Sequence, residues 1–174
     1  SKTLYVGGTL SGGFTATEPT GSAQDDILFL YLATNSGVVT NIAPPAGWTL
    51  VTNWLSPTSK HVGSDLETRL YWIRRGASPP SYNVTWTGSS GYVEASVTAW
   101  QDVVTSGDPW DVFSENSVSA KDPANPDCPA VTTTVTNTLV VAFGVGWKGW
   151  NTGGATPPTG YTLHEGTVVT NNIG

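Results

Sequence analysis

One cysteine, no methionine, two histidines and seven lysines and arginines stand among 174 residues. The lone Cys128 excludes an internal disulfide and a thiolate metal cage, so core packing alone must hold the fold. Pro126 and Pro129 flank it, which places it in a loop. With no histidine beside it in sequence, it reads as an inert thiol rather than a nucleophile. His61 and His164 share no HExxH or HxH spacing, so neither enters a metal or general-base motif. Charged residues make up 11% of the chain and the net charge is −6. A balance so poor in cations lacks the basic footprint that phosphate binding requires, and nucleic acid is not expected as a partner. No apolar run approaches the ~18 residues of a spanning helix, and the first residues lack the pattern of a secretory signal, so no membrane contact is expected either. G-x-S-x-G elbows, phosphate loops and EF-hand loops are absent from the sequence as well. The reading is therefore of a chain without cofactor, metal or enzymatic activity.

What the chain has instead is turn and strand chemistry. Twenty glycines and twelve prolines punctuate it, and 26 threonines and 19 valines outnumber five glutamates and four lysines. That composition favours strands over helices. Strand signals recur every eight to twelve residues, near 3–6, 13–17, 27–34, 48–54, 65–74, 81–86, 91–100, 112–118, 131–136, 138–145 and 161–169. No stretch carries a helical apolar stripe. The expected fold is an all-β, antiparallel, jelly-roll-like β-sandwich of about ten strands with almost no helix, in a single domain over residues 1–174. Segments 27–33 (ILFLYLA) and 139–145 (LVVAFGV) are apolar at every position, the mark of central strands covered on both faces. In 91–100 the small apolar Val93, Ala95, Val97 and Ala99 alternate with Tyr92, Glu94, Ser96, Thr98 and Trp100, so that strand is covered on one face.

The chain also contains a pseudo-repeat, 25–50 against 136–163. Each copy gives an apolar strand, a polar Gly/Asn loop, a PP-x-G turn and an aromatic-Thr-Leu strand start. Pro44, Pro45, Gly47 and Trp48 in the first copy match Pro157, Pro158, Gly160 and Tyr161 in the second. The prolines set an extended approach, the glycine supplies a backbone conformation other residues resist, and the aromatic caps the core edge. These eight residues are structural. After the second turn the strands that follow the first copy are not repeated, which predicts either a chain continuing past Gly174 or a neighbour's strand completing the sheet.

Three groups of side chains could carry chemistry. Glu67 and Glu94 are the best carboxylate pair for a sandwich glycosidase, against the simpler reading of solvated strand faces. Asp25, Asp26, Asp108, Asp111, Asp122 and Asp127 lie beside turns, where turn-closing hydrogen bonds are the expected role rather than cation binding. Of the eight tryptophans, Trp72, Trp86 and Trp100 fall on strands and pack in or beside the core. Trp110, Trp147 and Trp150 fall in loops and are the candidate ligand or partner contacts.

The succession DDILFLYLATN, PPAGWTLV, RLYWIRRG, Tyr82-Asn83-Val84-Thr85-Trp86-Thr87, Ala99-Trp100-Gln101-Asp102-Val103 and Asp108-Pro109-Trp110-Asp111 resembles a diffuse family of β-sandwich modules in bacteriophage virion proteins and related bacterial surface proteins. The resemblance runs from about residue 20 over most of the chain. It implies a jelly-roll-like capsid decoration or cement protein, head fibre or tail-associated module, located in the virion, binding other virion proteins as a homo-oligomer. It carries no catalytic residues. The alternatives are a carbohydrate-binding module or host-surface adhesin, which would take a glycan, and, behind these, a β-sandwich glycosidase.

Overall fold

The computed structural model describes residues 3–36, 39–51, 59–61, 64–88, 91–114, 130–143 and 159–160. These residues hold nine strands: β1 (Thr3–Leu10), β2 (Gly13–Thr15), β3 (Ile27–Ser36), β4 (Val39–Ala43), β5 (Thr49–Leu50), β6 (Ser59–His61), β7 (Ser64–Arg74), β8 (Asn83–Gly88) and β9 (Gly91–Trp100). There is no helix among them. Strands β1, β9, β3 and β7 form one antiparallel sheet, with the short β5 and β6 pairing on the far side of β7. Strands β4, β8 and β2 form a second antiparallel sheet. A single parallel pair, Ser36↔Val39, links the two where the chain passes from β3 to β4.

Strand β3 occupies the centre of the larger sheet. Leu30 pairs with Tyr71 on one side and Val97 on the other, and the alternation of the pleat places Leu28, Leu30 and Leu32 on the inner face. There they meet Val93, Ala95, Val97 and Ala99 of β9, Phe14 of β2, Ile42 of β4 and Val84 and Trp86 of β8 in one buried cluster. The inner faces of both sheets therefore share one core, the packing expected of two layered sheets. The small side chains of β9 let the layers approach, while Phe14 and Trp86, with ring centroids 6.1 Å apart, fill the opposite side. The alternation read for 91–100 and the two-sided burial read for ILFLYLA both hold: Leu28, Leu30 and Leu32 are fully buried on the inner face, and Ile27, Tyr31 and Ala33 on the other face are buried too.

Turn chemistry closes one end of this core. The Trp48 N–H donates to the Pro45 carbonyl at 3.2 Å, and Gly47 at the third turn position has φ +87°. Ala46 keeps negative φ, so this is a type II turn, which needs glycine at that position. The turn drives Trp48 into the core, where its Nε1 donates to the Ser81 carbonyl at 2.7 Å and its ring meets Tyr82 edge-on at 5.7 Å. Pro44 leads into this turn, and Pro45, Gly47 and Trp48 are its first, third and fourth residues. Of the second copy, Gly160 has φ +90° in a turn with Thr159; Pro157, Pro158 and Tyr161 lie outside the described residues. On the same flank Asp26 is buried and accepts from the Ala23 N–H at 2.8 Å, closing a turn. Asp25 reaches φ +71°, and its N–H donates to the Arg75 carbonyl at 2.9 Å. Arg75 in turn pairs through Nε with Glu18, tying the loop before β3 to the end of β7.

The structure departs from the sequence reading in two places. Strands β4 and β6 were read as loop. In β4 the register shifts between Thr40 and Ala43, where Asn41 takes φ +49°, so the segment is bulged and shows no simple alternation. Conversely, no strand appears at 112–114 or 130–143, although strands were expected at 112–118, 131–136 and 138–145. Leu139, Val140 and Val141, read as a buried central strand, are 62%, 38% and 37% exposed. The physical reason is placement: this run lies against a face of the larger sheet, through Phe143, rather than along an edge. Ladder hydrogen bonds run in the plane of a sheet, so a segment laid on its face gains none.

Backbone constraint is tightest at Gly13. It has φ +151°, and a Cβ there would lie 2.5 Å from the Val84 carbonyl oxygen of the strand it pairs with. Gly13→Ala is expected to lower stability by about 2 kcal/mol or more, and Gly47→Val by about 1 kcal/mol or more. At Gly21 a Cβ meets nothing within 4 Å, so Gly21→Ala bears backbone strain alone and should cost less than Gly13→Ala. Urea unfolding of the three variants against the wild type measures this order.

Candidate functional site on the aromatic face of the larger sheet

Because successive residues of a strand face opposite ways, the core-facing leucines of β3 oblige Phe29 and Tyr31 to face outward. Register places Phe29 beside Trp72 and Tyr31 beside Leu70 on β7. With Val51, whose N–H donates to the Leu70 carbonyl at 2.9 Å, these residues form a second apolar cluster. Two later parts of the chain complete it. Trp110 stands edge-on to Trp72, ring centroids 5.4 Å apart at 89°. Phe143 stacks on Tyr31 at 5.5 Å and 20° and meets Phe29 at 6.0 Å.

Polar contacts hold these parts in place. The Arg74 guanidinium, at the end of β7, donates to the Val104 carbonyl through Nη1 and to the Gly107 carbonyl at 3.2 Å through Nη2. Asp111, next to Trp110, accepts from the backbone N–H and hydroxyl of Thr134 and from the Val135 N–H at 3.3 Å. The Thr134 hydroxyl, followed by these backbone donors, holds the Asp111 carboxyl below its ordinary value. Asp111 thus fastens two loop runs 23 residues apart, where the sequence reading was of a local turn. A carboxylate whose oxygens already accept N–H and O–H donors is poorly prepared to bind a cation.

Farther along the same face Trp100 donates from Nε1 to the Thr98 hydroxyl at 2.9 Å. Burial pushes the Tyr31 hydroxyl well above its ordinary value; a hydrogen bond with Thr68 opposes the shift and the nearby Glu94 carboxylate adds to it. Tyr82, in the core cluster, is likewise raised by burial and then by Glu18, with Arg75 opposing.

The sequence-derived candidates separate clearly. Trp110 belongs to this face and is half-buried against Trp72. Trp147 and Trp150, with Cys128, Asp122, Asp127 and His164, lie outside the described residues. Glu67 pairs with Thr34 and Glu94 with Ala33, adjacent residues of β3, so positions 67 and 94 belong to opposite faces of one sheet. Among the described residues no three His, Cys, Asp or Glu side chains gather in a way that would hold a metal ion. No protein family, curated protein or solved structure matches this chain.

Phe29, Tyr31, Trp72, Arg74 and Phe143 of this face were not singled out as site residues from the sequence. The all-apolar run ILFLYLA did signal a second covered face, but nothing in the sequence announced that Arg74 would serve two loop carbonyls.

The two raised tyrosines set an alkaline limit. Both stay protonated in the fold above their ordinary value of 10.0, where the unfolded chain releases its phenolic protons. The unfolded state then binds fewer protons than the native state, so their contribution is complete below pH 10.0 and is lost as pH rises through the folded values. Thermal melts are expected to fall steeply above pH 10.0, and the fall should be shallower in Tyr82→Phe. A ladder of phenolate absorbance against pH reads the same retained protons.

Proposed function

We propose that this chain is a non-enzymatic, protein-binding structural module of a bacteriophage virion, a capsid decoration or cement protein or a head fibre, folded as a single jelly-roll-like sandwich of about ten strands. One observation carries the choice of a protein partner over a glycan. The aromatic rings of the outer face are spent on the chain's own contacts, with Trp72 and Trp110 crossed at 89° and Phe143 seated on Tyr31, while Val104, Val135, Leu139, Val140 and Val141 stand exposed around them. Sugar rings stack on flat, accessible aromatic faces. Exposed aliphatic side chains beside such a cluster suit contact with another protein surface, including further copies of the chain. The resemblance of the strand and turn motifs to virion sandwich modules supports the particle as the setting. The separation of Glu67 and Glu94 onto opposite faces weighs against the glycosidase alternative.

Mass spectrometry of purified phage particles from a lysate that expresses the chain tests the reading: its peptides should appear at a copy number comparable to other structural proteins and survive high-salt washing. Absence from particles would sink the proposal. Calorimetric titration with host-surface polysaccharide addresses the carbohydrate-binding module or adhesin directly. Saturable binding lost in Trp110→Ala, Trp147→Ala or Trp150→Ala would favour that alternative.

A further inference from the structure

The two described runs after β9 meet the larger sheet without joining it. Runs 101–114 and 130–143 join no strand ladder, although they cover the apolar cluster of Phe29, Tyr31, Leu70 and Trp72 on the outer face of that sheet. Their exit from β9 is marked by Asp102 at φ +57°, a sharp change of direction for a non-glycine residue. Their contacts with the sheet are made through a few side chains: Trp110 on Trp72, Phe143 on Tyr31 and Phe29, and the Arg74 fork on the carbonyls of Val104 and Gly107. Asp111 then fastens the first run to the second at Thr134 and Val135. The seat is also imperfect. The Trp72 Nε1–H is buried there with no acceptor among the described residues. A buried donor left without a partner is costly and regains one when water reaches it.

From these observations we propose that the two runs form a strap that leaves the sheet as one unit, with Arg74 and Asp111 as its two latches, and that its release bares Phe29, Tyr31 and Trp72 without opening the core. Arg74 holds the strap to the sheet. Asp111 holds the strap to itself, so that Trp110 and the run leading to Phe143 move together. The core below is unaffected because it is closed by the other face of β3, through Leu28, Leu30 and Leu32. This inference concerns the strap alone and does not depend on the virion reading.

The test uses the full chain labelled with 5-fluorotryptophan and followed by fluorine NMR, with Trp72 and Trp110 assigned through Trp72→Phe and Trp110→Phe. In Arg74→Ala and Asp111→Asn, the Trp72 and Trp110 signals should move toward the position of free fluorotryptophan and gain a solvent-isotope shift, while Trp48 and Trp86 in the core keep theirs. Arg74→Lys, which keeps the charge but loses the two-pronged fork, should fall between wild type and Arg74→Ala. Unchanged Trp72 and Trp110 signals in both variants would overturn the latches. Equal movement of Trp48 and Trp86 would overturn the strap as a separate unit, since the whole molecule would then be loosening. Should Arg74→Ala fail to fold, Asp111→Asn, an exposed loop substitution, decides between these outcomes by itself.

Discussion

Strand β3 must be buried on both faces, and the rest of the structure is arranged to meet that requirement. Its sequence offers no polar side for water: Leu28, Leu30 and Leu32 face one way, Ile27, Phe29, Tyr31 and Ala33 the other. In an antiparallel sheet one face is often left to solvent, but here that would expose two aromatic rings and an isoleucine. The inner face is satisfied by a second sheet, in which β8 alternates and β4 is bulged. The outer face is covered by irregular chain, so the same strand is packed against regular structure on one side and loops on the other. That asymmetry explains why the molecule has two apolar clusters of different character, one spread over six strands and one stitched together from ring contacts.

The polar residues of the described region mostly serve the backbone. Asp26 closes a turn, Asp111 fastens two loop runs, Arg74 caps stray carbonyls, Trp48 binds the Ser81 carbonyl and Thr40 binds that of Thr87. Loops lying on a protein surface carry unpaired peptide groups, and side chains of this kind are the usual remedy.

Legibility in the sequence followed the regularity of the backbone. The strands that alternate, or that are apolar throughout, announced themselves: 27–34, 65–74 and 91–100 correspond to β3, β7 and β9, and the PPAGW turn could be read down to its glycine. Strand β4 was hidden because a bulge at Asn41 breaks the two-residue period by which strands are recognised. The run at 139–143 misled for the opposite reason. Its composition is that of a buried strand, but composition says how much apolar surface a segment carries and not whether a sheet edge is there to receive it. The carboxylate pair failed on a subtler point. Whether Glu67 and Glu94 share a face depends on the register of β7 and β9 against β3, and a shift of one residue reverses the answer. Register is a property of pairs of strands, which no single segment displays.

The passage from β3 to β4 through the lone Ser36↔Val39 pair has a mechanical consequence. Within the larger sheet β1 and β9 are joined over eight residue pairs, so a pull along those strands loads many hydrogen bonds at once in shear. Between the sheets, among the described residues, only the Ser36↔Val39 pair is of that kind. A force drawing one sheet past the other is resisted by the interlocking of Phe14, Trp86 and the leucines of β3, contacts that are individually weak and short in range. The molecule is thus anisotropic: stiff along its strands, compliant between its layers, and able to yield to a sideways load by slip before any ladder breaks.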